Sequence, residues 1–450
     1  MKCFIRKVIS FSLVFAVTAT FVACGKTNTK SNGNSSAQSS KENSSSNPID
    51  ITFSWWGGDS RHKATENAVN AFKNKHSNIS VTTEYGAWSG WEEKQSLSLY
   101  GGNAADVMQI NWNWIDNYGN NGTSFVDLNQ YSDIIDLSQF SKEALEQCSV
   151  DGKLMAIPVS TTGCLFFWNK ATFDKIGCEI PTDKDSLLEA GARFKAYDEE
   201  YYPLVFDGGY SRMILMVYYL ESVYGKPWVV DGKLQYSIEE IKEGMNFICE
   251  LEDAHVIPTL AVTNGDMADS TDKNPKFIDG KYAGIFVWDG SVLNMKNAVK
   301  GSVNVPGQDL VQGEFLKFGE YNGGFTKISM AFAITSISEH PKESAMLINY
   351  LLNDPEGIEL CAMERGLPLS AKGLEIMESK GLGDPTLIKA NKDVQAHSKF
   401  ALDSKFESSE LKANPDGAYE KIFGKLSFDE YDAAQAADLL YNAVNETLAQ

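Results

Sequence analysis

The chain has few of the residues that build metal and thiol centres. Five histidines stand far apart among 450 residues. Five cysteines follow the first 24 residues, an odd number without a close pair: Cys148, Cys164, Cys178, Cys249 and Cys361. Because zinc and redox motifs need closely spaced ligands, the sequence predicts no metal site, no cofactor and mostly free, buried thiols. One disulfide among the five stays an open alternative.

Positive charge is also scarce. The chain has 40 lysines and arginines against 60 aspartates and glutamates, which gives a formal net charge of −20. Such a surface repels nucleic acid and anionic lipid, and it favours a neutral or cationic ligand over a strongly anionic one. The motifs GxxxxGK[ST], GxGxxG, HExxH and GxSxG are missing, which excludes the enzyme classes that they define.

Long apolar runs are limited to the first 23 residues. Three basic residues precede an apolar stretch at 8–23, which has the length of a secretory signal rather than of a membrane span. Cys24 follows directly, and the segment resembles the lipobox of bacterial lipoproteins, with Phe21 in place of the usual leucine. We therefore expect a signal peptide at 1–23 and an acylated (palmitoylated) Cys24. A cleaved signal with a chance cysteine is the alternative.

Polar residues fill the tract that follows Cys24, so that 24–47 has no large apolar side chain. Such a tract cannot offset its chain entropy by burial, and we expect a flexible tether with a reach of about 25 Å. The tether would hold a soluble body at the extracytoplasmic face of the cell membrane. The body has about 400 residues, more than one hydrophobic core usually serves, so two domains are expected.

The first part of the body alternates between strand and helix patterns. Strands are predicted at 49–56, 78–85 and 105–110, with amphipathic helices at 61–76 and 91–103 between them. This order predicts parallel pairing in a doubly wound α/β domain. Ligands of such domains bind beyond the carboxyl ends of the strands.

Helical patterns dominate the remainder. The middle has three helices and then a strand that ends at Trp288 and Asp289, and the C-terminal part is largely helical. The predicted helices lie at 187–199, 212–225, 238–257, 342–354 and 429–449.

Tryptophan is plentiful, with nine residues in the chain. Seven lie at or just past predicted strand ends: Trp55, Trp56, Trp88, Trp91, Trp112, Trp114 and Trp288. Aromatic rings flanked by polar side chains suit sugars, which present apolar C–H faces and hydroxyl edges. Core packing is the alternative for each single tryptophan, especially for Trp55 and Trp91, which also lie on apolar faces.

Four segments together resemble one known family. They are "DGKLMAIPVSTTGCLFFWNKATFDKIG" at 151–177, "GGNAADVMQI" at 101–110, "FIDGKYAGIFVWDGS" at 277–291, and the closing strand, helix and loop at 326–370. In this order they resemble the extracellular solute-binding proteins of ABC transporters, in the branch that binds oligosaccharides. The chain departs from the family pattern at single positions, such as Trp168 in place of a tyrosine.

The resemblance implies a type II-like periplasmic-binding-protein fold with two discontinuous α/β lobes and a ligand cleft between them. The expected N-terminal lobe is 48–160 with about 291–340, and the C-terminal lobe is 161–290 with about 341–450. It further implies a monomer that is not an enzyme, delivers an oligosaccharide to ABC permease subunits, and binds no nucleic acid. A β-linked plant oligosaccharide is the favoured ligand, and anionic sugars are disfavoured by the net charge, although Arg61 or Arg365 could receive one.

Fifteen residues are predicted to contact the ligand, from their positions at strand ends and crossings. In the first lobe they are Trp55, Trp56, Asp59, Arg61, Trp88, Asn111 and Trp112. In the second lobe and the crossings they are Trp168, Asp207, Tyr210, Trp228, Trp288, Asp289, Phe325 and Arg365.

Two other functions stay open. A surface-anchored glycoside hydrolase would need two facing carboxylates, and the candidates Glu92–Glu93 and Glu239–Glu240 lie on predicted helix surfaces. A solute-binding protein for a polyamine or a peptide would be compatible with the negative charge, although the tryptophans favour sugar.

Overall fold

The computed structural model describes residues 48–450, apart from residues 89, 119–122, 267 and 269. The predicted signal peptide, Cys24 and the tether therefore lie outside the described residues. Within the described part of the chain, no helix is both long and apolar enough to cross a membrane.

The strands and helices of the described residues are numbered in chain order. Strands β1 to β12 are Ile49–Trp56, Ile79–Gly86, Val107–Ile110, Ser149–Val150, Lys153–Leu154, Ile157–Asn169, Val229–Val230, Lys233–Leu234, Gly284–Trp288, Leu310–Gln312, Phe325–Ile334 and Phe400–Ala401. Helices α1 to α18 are Asp59–Lys75, Trp91–Tyr100, Trp114–Asn117, Lys142–Glu146, Lys170–Ile176, Lys184–Tyr197, Gly209–Tyr224, Ile238–Asp253, Leu260–Gly265, Pro275–Ile278, Val292–Lys300, Pro341–Asn353, Pro355–Cys361, Ala371–Lys380, Pro385–His397, Ser409–Lys412, Ala418–Ser427 and Ala433–Leu448. Short 3₁₀ helices lie at Leu128–Tyr131, Leu137–Gln139, Thr271–Lys273, Asp289–Ser291 and Ser404–Glu407.

Three parallel strands form one side of the main sheet. β1 lies between β2 and β3, with Trp55 opposite Tyr85 and Phe53 opposite Val107. The apolar stripe of α1, which includes Phe72, is buried in the same core as the inward side chains of β1. The parallel strand–helix–strand unit predicted from the sequence is thus confirmed.

Two long antiparallel strands, β6 and β11, run through the middle of this sheet. Its order is β10, β6, β11, β3, β1 and β2, with β12 beside β11 and β9 beside β6. The first half of β6, 157–163, pairs with β11, whereas its second half, 164–169, pairs with β9 and β10. The register of β6 and β11 shifts on both sides of Met330, so Ser329 has no partner in that ladder. β6 and β11 therefore connect the parallel strands β1 to β3 with the strands β9 and β10 in one mixed sheet.

The helices form two groups around the sheet. α7, α8, α17 and α18 contact one another, whereas α12 and α13 contact α1. The sequence-based grouping joins α12 to the segment 161–290 and β10 to the segment 48–160. In the structure, α12 packs on α1 and β11, and β10 pairs with β6. The division into lobes stays a prediction.

The buried apolar side chains of both helix groups and of the sheet join in one large cluster. A smaller cluster around Val205, Ile285 and Leu310 lies beside β9 and β10. The cysteines from Cys148 to Cys361 are free thiols, as predicted. The core is therefore continuous from the parallel strands to the C-terminal helices.

Candidate functional site

A cavity of about 320 Å³ opens beside the register shift between β6 and β11. Segments that are far apart in the sequence form its wall: the start of α1, the centres of β6 and β11, the 3₁₀ turn after β9, the loop before α14, and α15. The lining residues are Arg61, Thr161, Thr162, Trp288, Asp289, Gly290, Ser291, Lys327, Ser329, Met330, Met363, Glu364, Arg365, Gly366, Leu367, Leu387 and Asn391. Four of the predicted site residues, Arg61, Trp288, Asp289 and Arg365, meet here.

Asp289 is a fixed part of the wall. Its side chain is buried and accepts hydrogen bonds from the Thr162 hydroxyl, from the Gly290 N–H at 2.8 Å and from the Asn391 amide at 2.6 Å. Burial raises the pKa of the Asp289 carboxyl, and these donors oppose that shift. Asp289 thus joins β6 to α15, and donors from three segments engage its carboxylate.

Lys327 is the cation at the floor of the cavity. Its ammonium lies 2.5 Å from a carboxylate oxygen of Glu407, 4.6 Å from the ring centroid of Trp288 and 5.7 Å from that of Trp112. Burial lowers the pKa of Lys327 to about 8, with Glu407 opposing the shift. Trp112 therefore packs beneath the lysine, and the tryptophan that borders the cavity is Trp288.

Glu407 is the centre of a buried polar group. The same carboxylate oxygen that pairs with Lys327 also lies 3.0 Å from the ammonium of Lys412 and accepts a hydrogen bond from the Tyr210 hydroxyl. Burial disfavours the charged carboxylate, but Lys327 and Lys412 outweigh it and hold the pKa of Glu407 well below its ordinary value. Burial also raises the pKa of Tyr210. The predicted ligand residue Tyr210 is thus engaged within the protein.

Arg61 reaches the cavity from the first turn of α1. Its Nε donates to the carbonyl of Glu364 at 2.6 Å, and its Nη1 donates to the carbonyl of Trp56 at 3.1 Å. Burial lowers the pKa of Arg61 to about 10, the nearby Arg365 adds to the shift, and Glu364 opposes it. No described carboxylate forms an ion pair with Arg61, and these hydrogen bonds of its guanidinium go to backbone carbonyls.

Arg365 is the second guanidinium of the wall. It is only 5% exposed and stacks 5.4 Å from the ring centroid of Phe332. Its Nε donates to Gln109 at 2.7 Å and its Nη2 donates to the hydroxyl of Thr65 at 2.9 Å. Its Nη1 is buried and has no hydrogen-bond partner among the described residues. Burial lowers the pKa of Arg365.

A second cavity of about 180 Å³ shares Trp288 with the first. Asp207 and Tyr210 line it, and Asp207 accepts hydrogen bonds from the hydroxyls of Ser211 and Thr271. Two more of the predicted residues therefore line a cavity that shares Trp288 with the main one.

Four predicted residues lie in the core, away from the cavity lining, and their contact with a ligand stays a prediction. Trp55, Trp168, Trp228 and Phe325 have at most 2% of their surface exposed. Trp55, Trp168 and Phe325 lie on strands and Trp228 directly precedes β7, and burial of a large ring at these positions stabilises the fold. Spacing along the sequence cannot separate these positions from the outward ones at a strand end.

The remaining predicted residues lie outside the cavity lining. Trp56 is half-buried and its ring centroid lies 5.0 Å from that of Trp88, which is 43% exposed. Asp59 is exposed at the start of α1, and Asn111 is partly buried after β3. Trp56 connects to the cavity through its carbonyl, which holds Arg61. Their contact with a ligand stays a prediction.

Sequence reasoning missed the polar residues on β6, on β11 and on α15. These are Thr161, Thr162, Lys327, Ser329 and Asn391. One signal was available for Lys327, because it is the single charged residue in the mostly apolar strand β11. A buried cation of this kind is retained only where a partner or a function offsets its burial.

Comparison with known proteins places these features in context. A periplasmic solute binding protein from Pectobacterium atrosepticum is 32% identical and has a TM-score of 0.81, with 89% of this chain and 99% of that chain covered. A periplasmic oligogalacturonide binding protein from Yersinia enterocolitica, solved with saturated digalacturonic acid, is 29% identical with a TM-score of 0.78 and the same coverage. The predicted solute-binding-protein fold is thereby confirmed.

Among curated proteins, a binding protein from Brucella abortus is 24% identical over 161 residues. The match covers 36% of this chain and spans 39% of the length of that relative. Residues 67–373 match the family described as bacterial extracellular solute-binding protein, which includes most of the cavity wall. The chain therefore belongs to the bacterial extracellular solute-binding proteins.

Proposed function

We propose that the protein captures an oligosaccharide outside the cytoplasm and delivers it to the permease subunits of an ABC importer. The observation that carries the proposal is the half-buried ring of Trp288 at the edge of a cavity lined by hydroxyl, amide and guanidinium groups. A sugar would stack an apolar face on the ring and place its hydroxyls against these polar groups. The oligogalacturonide bound by the Yersinia enterocolitica relative is in keeping with a sugar ligand.

The cavity favours binding over glycoside hydrolysis. Hydrolysis needs one carboxyl group to protonate the leaving group and another, across the sugar, to act as nucleophile or base. Of the two carboxylates in the described wall, Asp289 is occupied by donors from three segments, and Glu364 accepts from the hydroxyl of Ser60 at 2.9 Å. We therefore propose that the bound sugar leaves unchanged.

The route to the membrane is part of the same proposal. An extracellular family fits a secreted chain, and the lipobox-like segment before Cys24 fits a lipid anchor at the cell membrane. The polar tract at 24–47 would let a monomeric body reach the permease while it stays anchored.

A ligand screen on residues 47–450 tests the proposal, since this segment forms one compact unit. Thermal unfolding and tryptophan fluorescence are measured with neutral and acidic oligosaccharides, polyamines and short peptides. A sugar at a hundred times its Kd should stabilise the fold by about 2.7 kcal/mol, change the fluorescence through Trp288, and be recovered uncleaved. A response confined to polyamines or peptides, or a cleaved sugar, would contradict the proposal.

A matched pair of variants assigns the binding to the cavity. Trp288→Ala should weaken sugar binding by about tenfold or more, because it removes the stacking ring. Phe428→Ala removes an exposed aromatic ring that neither lines the cavity nor belongs to the predicted ligand contacts, and it should leave the affinity nearly unchanged. Equal losses in both variants would place the sugar elsewhere.

A further inference from the structure

The charge of the cavity wall differs from the charge of the whole molecule. The chain has a net charge of −20, yet the wall has three cationic side chains, Arg61, Lys327 and Arg365, against two anionic ones, Asp289 and Glu364. Surface charges act over a screening length of about 8 Å at physiological ionic strength, so a bound ligand responds mainly to the groups around it. The net charge therefore does not decide which ligand charge the cavity accepts.

Both anionic side chains of the wall are occupied within the protein. Asp289 is buried and receives donors from Thr162, Gly290 and Asn391. Glu364 accepts from the hydroxyl of Ser60, on the first turn of α1. Neither forms an ion pair with a cation of the described wall. Asp289 therefore has little capacity left to hold a cationic ligand.

The three cationic side chains of the wall, in contrast, have more positive charge than their ion-pair partners balance. Arg61 and Arg365 form no ion pair among the described residues, and Nη1 of Arg365 is buried without a hydrogen bond. Lys327 shares the single carboxylate of Glu407 with Lys412. Burial of charge that is not compensated destabilises a protein by several kcal/mol. An anion in the cavity would offset that cost, and a cation would add to it.

We propose that the ligand is an anionic oligosaccharide, with a carboxylate or a sulfate on its rings, and that Arg61, Arg365 and Lys327 select it. The inference rests on the proposed sugar-binding function and deepens it. A guanidinium donates two parallel hydrogen bonds to a carboxylate or a sulfate, and such charge-assisted bonds are about twice as strong as neutral ones. The ring that carries the anionic group stacks on Trp288, next to Lys327. The same arrangement disfavours polyamines as ligands.

Calorimetry on residues 47–450 tests the charge of the ligand. The probes are digalacturonic acid, its carboxyl-reduced neutral counterpart, and a sulfated disaccharide with its unsulfated counterpart. At least one acidic sugar should bind about tenfold or more tightly than its neutral counterpart, and its affinity should fall between about 50 mM and about 500 mM sodium chloride. The two acidic probes distinguish a carboxylate from a sulfate.

The outcomes separate this inference from the proposed function. If a neutral sugar binds as tightly as its acidic counterpart, the inference is wrong and the oligosaccharide function stands. If no sugar of either charge binds to the folded protein, the function itself is contradicted, and the inference with it. An acidic sugar whose affinity does not change with salt would also contradict the inference.

Two substitutions in α1 test whether Arg61 determines the preference for an acidic sugar over a neutral one. Arg61→Gln should weaken binding of the acidic sugar by about tenfold to a hundredfold and bring the affinities for the acidic and neutral sugars together. Lys63→Gln makes the same change of charge at an exposed position two residues further along α1, outside the cavity lining, and it should leave both affinities unchanged. Equal weakening of both sugars by Arg61→Gln would overturn the role of its charge. If Arg61→Gln does not fold, the salt dependence of the affinity of the unsubstituted protein for the acidic sugar decides whether the inference is right.

Discussion

Glu407 holds two lysines from different segments and is fully enclosed by the protein. Lys327 approaches it from β11 and Lys412 from α16, and the hydroxyl of Tyr210 from α7 donates to the same oxygen. A buried ion pair contributes little net stability compared with apolar residues, but removal of one partner leaves the other charge uncompensated. The floor of the cavity therefore depends on one carboxylate.

The substitution Glu407→Gln should lower the free energy of unfolding by about 3 kcal/mol, because it leaves the buried Lys327 ammonium without its counter-charge. Urea unfolding near neutral pH measures this change. Glu410→Gln removes the same charge three residues later at an exposed position, and we expect a change of less than about 0.5 kcal/mol. Equal effects of the two substitutions would contradict the central role of Glu407.

The pH dependence of the free energy of unfolding is a second test of the role of Glu407. The folded-state pKa of Glu407 is lowered, so its contribution is complete above its unfolded value near 4.5 and is lost as the pH falls through the folded value. The stability difference between the unsubstituted protein and Glu407→Gln should thus be constant from about pH 7 to about pH 5 and narrow below about pH 4.5. A difference that grows on acidification would contradict this assignment.

At the scale of elements, β6, β11 and α15 approach one another closely at Gly163. A Cβ atom there would lie 2.3 Å from Cγ1 of Val394 on α15 and 2.8 Å from the carbonyl oxygen of Phe325 on β11. The neighbouring Thr162 and the α15 residue Asn391 both donate to Asp289. The absence of a side chain at Gly163 therefore sets the spacing that closes this side of the cavity.

Gly163→Ala should destabilise the fold by about 1–3 kcal/mol, because the added methyl group has no space in a packed core. It should also weaken ligand binding, since α15 must shift away from β6. Gly424→Ala on α17 is the matched control: a Cβ atom there meets nothing within 4 Å, and alanine favours a helix. Thermal unfolding and a ligand titration on both variants check the prediction. If Gly163→Ala were as stable as the control, the close approach would not be what sets the cavity.

How far the sequence predicted the elements depended on their pattern. The strands β1 to β3 and the long helices were predicted because their apolar residues recur with a period of two or of 3.6. β6 is buried along nearly its whole length, so its burial pattern has no period that identifies its neighbours. The pairing of its two halves with β11 and with β9 and β10 was therefore not predictable.

The residues that line the cavity were only partly predictable from the sequence. Arg61, Asp289 and Arg365 were chosen from strand ends and from the family resemblance, and the structure brings them together. Lys327 and Asn391 reach the same cavity from β11 and α15, and the one available signal was the lone charge of Lys327 in its strand. Tryptophan was a poor guide to single positions, because a ring suited to stacking on sugar is equally suited to the core.

At the scale of the whole molecule, the main sheet has two parts, the parallel strands β1 to β3 and the strands β9 and β10. The long strands β6 and β11 join them. β6 pairs along one half with β11 and along the other with β9 and β10, and β11 continues beside β3. One buried apolar cluster includes residues of α1 and α12 as well as residues of α7, α8 and α18. Unfolding of either part would therefore expose strand edges and apolar surface of the other.

This continuity predicts one cooperative unfolding transition for residues 47–450, although chains of this length often unfold in several steps. Urea unfolding monitored by tryptophan fluorescence and by far-ultraviolet circular dichroism should give coincident midpoints without ligand. A sugar bound in the cavity should move both midpoints together, because its wall includes residues of β6, β11, α1 and α15. Two separate transitions, with only one shifted by ligand, would show that the shared strands do not couple the parts and that the cavity belongs to one of them.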